Sequence, residues 1–128
     1  MSGFLFVAAG GAIGAVMRYG VAQLASRLTE APGTYATLVV NVAGSFCLGL
    51  LMAWLVSRSD SGAHHGLFLF LAVGLLGGFT TFSAFSLETV HMLNDGAHAR
   101  AASYMAANTL GSVLALFLAF HFLRRLLA

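Results

Sequence analysis

Four apolar runs, Phe4 to Leu24, Tyr35 to Val56, Leu67 to Leu93 and Ala99 to Phe122, dominate this chain. Crossing ~30 Å of hydrocarbon as a helix takes roughly 20 apolar residues, and each run meets that length. The connectors, around Arg27 to Gly33, Ser57 to Gly66 and Asn94 to His98, leave no room for a soluble domain. Only 8% of the residues are charged, where a soluble domain carries about 25%. The expected fold is therefore an all-α integral membrane protein, with residues 1–128 forming a single transmembrane domain.

No basic residue precedes the first run, and no small-residue cleavage site interrupts it before Arg18, so Phe4 to Leu24 is read as a helix and not a leader. Cys47, the one cysteine, falls inside the second run and is expected to pack as a small hydrophobe. Six arginines, no lysine and four acids give no basic cluster of the kind a nucleic acid requires. Four spans put both termini on one side of the membrane. Arg58, Arg124 and Arg125 then share that side, and Arg18, Arg27 and Arg100 belong to the other. Excess Arg and Lys normally mark the cytoplasmic side. Three against three gives no orientation signal, so the chain is expected to insert both ways and to pair as a dual-topology antiparallel homodimer.

Several glycines are spaced for close helix packing in lipid: Gly10 with Gly14, Gly11 with Ala15, Ser45 with Gly49, and Gly111 with Ala115. The third span differs. Gly74, Gly77 and Gly78 lead into Phe79-Thr80-Thr81-Phe82-Ser83-Ala84-Phe85, and the span's midpoint falls at Thr80. Two adjacent glycines and two β-branched threonines weaken a helix, so a broken third helix is predicted at mid-membrane. Such a break is either a packing kink or an ion site, because bare carbonyls and half-helix N-termini at the midplane hold ions.

Polar groups elsewhere converge on the second alternative. Asn41 is the strongly polar amide of the second span, and burying its donors in hydrocarbon demands a partner. Tyr104, Asn108 and Ser112 recur every four residues on one face of the fourth span, and with Thr81 and Ser83 they make a file of donors suited to a small ion. Phe79, Phe82 and Phe85 form a stripe that serves either as packing or, through positive ring edges, as anion contacts. Arg18 either snorkels to the interface or draws anions into a vestibule. Glu88 and His91 have the spacing of half a di-metal site, but no other span offers the remaining ligands. No nucleophile–base or phosphate-loop pattern points to an enzyme.

Three blocks together resemble a known family: Gly10-Gly11-x-x-Gly14-Ala15-x-x-Arg18-Tyr19, Thr37-x-x-x-Asn41-x-x-Gly44, and Gly77-Gly78-Phe79-Thr80-Thr81-Phe82-Ser83-Ala84-Phe85-Ser86-x-Glu88. The chain looks like the Fluc or CrcB fluoride channels over essentially its whole length. That resemblance implies an antiparallel homodimer in a bacterial inner membrane that passes fluoride passively and relieves its toxicity. It further implies a structural sodium ion on the dimer axis, held by the backbone carbonyls of Gly77 and Thr80. The implied fluoride pore is lined by Asn41, Phe82 and Phe85, with Thr81, Ser83, Tyr104 and Ser112 along a polar track and Arg18 in the vestibule. Ala84 and Asn108 depart from the family's usual Thr and Ser, and Ala36 from a common Gly. The alternative is a small multidrug exporter, also of four spans. A proton-coupled pump needs a membrane-embedded carboxylate, and the first span has none.

Overall fold

The computed structural model describes residues 2–58 and 64–128. Among the described residues four helical stretches are long and apolar enough to span a membrane: Ser2–Leu28, Pro32–Ser57, His65–Asn94 and His98–Leu127. Helix α1 (Ser2–Leu28), α2 (Pro32–Ser57) and α6 (His98–Leu127) are continuous. The third span is segmented into α3 (His65–Phe68), a π-helix (Leu69–Leu76), α4 (Gly77–Phe79) and α5 (Phe82–Asn94). The spans run beyond the apolar stretches into the expected connectors. Arg27 thus joins the last turn of α1, where a cation complements the helix dipole, and Pro32 starts α2 at a position where its missing N–H costs nothing.

The turn between α5 and α6 closes by a Schellman motif. Gly96 takes φ 72°, its N–H donates to the Leu93 carbonyl at 3.1 Å, and Ala97 N–H donates to the Met92 carbonyl at 2.8 Å. Gly96 supplies the left-handed residue this motif needs, and Ala97 packs back on Met92, Ala101 and Tyr104.

Helix α2 lies along α6, and α1 lies along the π-helix and α4. Glycines set the second of these contacts. A Cβ on Gly10 would fall 2.2 Å from the Phe70 carbonyl oxygen, and one on Gly14 would fall 2.1 Å from that of Leu75. Gly78 faces the Gly11 carbonyl in the same way, at 2.6 Å. The glycines before the break therefore bring backbone against backbone, and Gly77 and Gly78 themselves remain helical. On the other side, a Cβ on Gly49 would meet the Leu116 carbonyl at 2.4 Å, which draws α2 onto α6. Gly14→Ala forces α1 and the π-helix apart and is expected to cost about 1–3 kcal/mol, as overpacking does. Gly20→Ala meets nothing within 4 Å and is expected to stay within about 0.5 kcal/mol. Thermal unfolding in detergent compares the two, and equal melting temperatures would remove the glycine contact from the account.

The outward faces are apolar. Phe4, Val16, Leu110, Leu118 and Phe122 are exposed, as lipid-facing residues are. Cys47 is exposed too; it stands on the outer surface beside Phe46 and not within the protomer's core.

Candidate functional site

The break consists of two residues. Thr80 (φ −78°, ψ 159°) and Thr81 (φ −152°, ψ 120°) are extended, the conformation β-branched side chains favour. The two threonines close the two half-helices differently. Thr80 ends α4, its N–H and hydroxyl both donating to the Leu76 carbonyl, at 3.0 and 2.9 Å. Thr81 begins α5 as an N-cap, its Oγ1 accepting the Ala84 N–H at 3.2 Å. The sequence places the break correctly at mid-span, and of the glycines and threonines expected to weaken the helix there, the threonines supply its conformation. Gly44 on α2 makes room for it, since a Cβ there would lie 2.4 Å from the Thr80 methyl.

An extended peptide unit in hydrocarbon needs partners, because an unpaired amide there costs about 2–7 kcal/mol. Asn41 provides them from α2. Its Oδ1 accepts the Thr81 N–H at 2.7 Å, and its Nδ2 donates to the Thr81 carbonyl at 3.0 Å. A second Nδ2 hydrogen goes to Asn108 Oδ1 at 2.9 Å. Asn41 thereby ties the break to both α2 and α6.

Beside this knot lies a cavity of about 360 Å³ lined by Asn41, Gly44, Gly77, Thr80, Thr81, Phe82, Phe85, Asn108, Thr109 and Ser112, with apolar residues between them. Two buried atoms on α6, Asn108 Nδ2 and Ser112 Oγ, have no hydrogen-bond partner among the described residues. They stand four residues apart, on one helical face. The rings of Phe82 and Phe85 lie 5.4 Å apart and tilted by 53°, and Phe85 continues to Tyr104 at 5.5 Å. Phe82 is 78% exposed on the protomer, so its ring is available to a second molecule or to the cavity mouth.

The other expected site residues are arranged differently. The Tyr104 hydroxyl donates to Glu88, whose second oxygen accepts from Thr37 at 2.9 Å, so neither hydroxyl faces the cavity free. Ser83 is exposed and shares a 3.2 Å hydrogen bond with the Thr81 hydroxyl. His91 is exposed while Glu88 turns inward to α2 and α6. Arg18 lines a second cavity, of about 320 Å³, with Tyr19, Thr37, Thr81, Ala84 and Glu88. Thr81 borders both cavities, so the break stands between the arginine-bearing cavity and the one walled by Phe82 and Phe85. Asn108 is the residue whose weight the sequence understates. It belongs to the four-residue series on α6, and its orphaned amide appears only once α2 and α5 are in place.

Fold and site define a small polytopic membrane protein with a polar, aromatic-walled cavity at a helix break. A family model described as CrcB-like protein, Camphor Resistance (CrcB), matches residues 5–120. The chain is 48% identical to a fluoride-specific ion channel FluC of Hyphomonas neptunium across 100% of both chains. It is 46% identical to one of Caulobacter sp. (strain K31), covering 98% of each chain. A FluC of Dehalococcoides mccartyi (strain ATCC BAA-2100) is 43% identical over 92% of this chain and 89% of its own. The chain belongs to the CrcB family.

Proposed function

We propose that the protein is a fluoride channel that lets fluoride leave the cell passively across the bacterial inner membrane. The observation that carries this reading is the cavity walled by Phe82 and Phe85 and bordered by Asn108 and Ser112, whose Nδ2 and Oγ have no partner among the described residues. A buried donor without a partner costs about 1–3 kcal/mol, and a small anion that accepts from it recovers that cost. Ring edges carry positive potential and supplement the donors without offering an acceptor that would compete. The relatives' name, fluoride-specific ion channel, agrees with that chemistry. In this reading Arg18 gathers anions in its cavity, and Thr81 with Ser83 marks the passage to the aromatic one. Asn41 and Tyr104 hold that passage in shape through Thr81 and Glu88.

The active unit is an antiparallel pair of chains. Gly77 is exposed, and a Cβ on it would meet no atom nearer than 3.8 Å, so there is room beside the break for a second copy. Four carbonyls, from Gly77 and Thr80 of each chain, are the hard oxygen ligands a sodium ion takes. Bound there, sodium supplies positive charge that holds the two breaks together. Expression of the chain with a C-terminal reporter in bacteria lacking their own fluoride exporter tests the proposal. Growth in millimolar fluoride should be restored, with the reporter on both faces of the membrane. Unrelieved fluoride sensitivity in cells that insert the protein would contradict the channel, and a reporter on one face would contradict the pairing.

A further inference from the structure

Away from the helix break, the end of α2 and the start of the third span enclose a separate cavity of about 310 Å³. Arg58, His64 and His65 line it, together with apolar side chains that include Met52, Leu55 and Phe68. Trp54, the chain's one tryptophan, supports two of the three polar residues. The Arg58 guanidinium lies over its ring, 5.1 Å from the centroid, and the His64 ring packs beside it at 5.2 Å and 55°. One aromatic side chain thus holds an arginine and a histidine from the two sides of the connector. Residues 59–63 of that connector lie outside the described residues. The apolar run of the second span ends at Val56, with Met52 about one turn inside it and Arg58 just outside. The cavity therefore straddles the level where hydrocarbon gives way to headgroups, the level at which tryptophan is enriched. Glu30, Glu88 and Asp95 belong to the opposite side of the membrane, so Arg58, Arg124 and Arg125 share theirs with Asp60 as the one acid.

We propose that this cavity binds the phosphate headgroup of an anionic phospholipid, with Arg58 as the phosphate ligand and Trp54 as the residue that positions it. A guanidinium fork matches two phosphate oxygens, and an imidazole keeps at least one N–H to donate whether it is neutral or protonated. The apolar walls separate a lipid from a free anion. Inorganic phosphate gains nothing from Met52, Leu55 and Phe68, whereas a phospholipid lays the first carbons of its chains against them. At about 310 Å³ the cavity is at the small end of ligand sites, so it takes a headgroup and leaves the chains in the bilayer. A zwitterionic headgroup would bring its own cation toward Arg58, which favours the anionic lipid. The inference does not rest on the fluoride reading, since none of these residues borders the cavity beside the break.

Trp54 reports on its own site, because no other tryptophan contributes to the fluorescence. The full chain is placed in phosphatidylcholine vesicles in which a minor fraction of the lipid is phosphatidylglycerol brominated near the top of its chains. A parallel sample carries brominated phosphatidylcholine in the same proportion, and bromine quenches the indole on contact. Phosphatidylglycerol should quench the more strongly, with a relative affinity about five-fold higher, the effect of one cation at a membrane surface. Arg58→Gln should make the two lipids quench alike. Arg58→Lys keeps the charge without the fork and should lose part of the preference, which serves where the glutamine protein does not assemble. Arg124→Gln, on the same side but not lining the cavity, should keep the full preference. Equal quenching by the two lipids in the wild-type protein would overturn the proposal, as would a preference that survives Arg58→Gln. Equal loss in the Arg58 and Arg124 variants would also overturn it, since that is attraction to the surface at large. Recovery of fluorescence on adding inorganic phosphate at constant ionic strength would make a free anion the occupant and overturn the lipid assignment.

Discussion

Replacing Phe82 or Phe85 with Ile lowers fluoride efflux by at least about 100-fold, equivalent to about 2.7 kcal/mol at the barrier. The change removes a ring quadrupole at nearly constant apolarity, so it separates anion contact from packing. Phe82 isolates the effect well, since it is 78% exposed and its loss leaves little of the protomer unfilled. Phe85 also touches Tyr104, with ring centroids 5.5 Å apart, and losing that aromatic pair costs about 0.5–1.5 kcal/mol of stability. Both variants should elute as assembled protein and pass almost no fluoride. Wild-type efflux from both would remove the rings from the conduction path.

Asn41→Asp is expected to act on the fold and the pore at once. A carboxylate can still accept the Thr81 N–H, but it has no hydrogen for the Thr81 carbonyl or for Asn108 Oδ1, which stand 3.0 and 2.9 Å from Nδ2. Acceptors then face acceptors in a half-buried site. Leaving a buried charge without compensation costs about 3–5 kcal/mol. Asn108 can relieve part of this by turning its NH₂ toward the new carboxylate, but that withdraws the donor from the cavity. Either outcome abolishes efflux. A lowered melting temperature in detergent together with lost efflux is the expected pair of results; unchanged values of both would contradict the role given to Asn41.

The membrane spans were legible because hydrophobicity over about 20 residues is a strong one-dimensional signal. Their ends were not, since helices continue through polar residues such as Arg27 and His98 that suit helix termini. The break was legible in place, and of the two causes the sequence offers, glycines and β-branched threonines, the threonines act. Glycine-rich sequence suggests a weak helix, but Gly74 and Gly78 serve contact with α1, and the extended residues are Thr80 and Thr81. That distinction depends on what lies across the interface, which a single chain segment does not encode. Asn41 was recognisable as a polar group needing a partner, while the partner is 40 residues away in the backbone of Thr81. Tyr104 belongs to the file of donors by its spacing, but the partner that takes its hydrogen, Glu88, lies 16 residues earlier on another helix and no spacing announces it. The orientation of Asn108 is the least legible feature, for it follows from three elements meeting.

Fluoride efflux from liposomes containing the purified wild-type protein tests the central claim most directly. With sodium present and a potassium ionophore to balance charge, an external electrode should record rapid fluoride release, independent of any proton gradient, and no comparable release of chloride. Absence of fluoride release from protein shown to be assembled in the membrane would contradict the account.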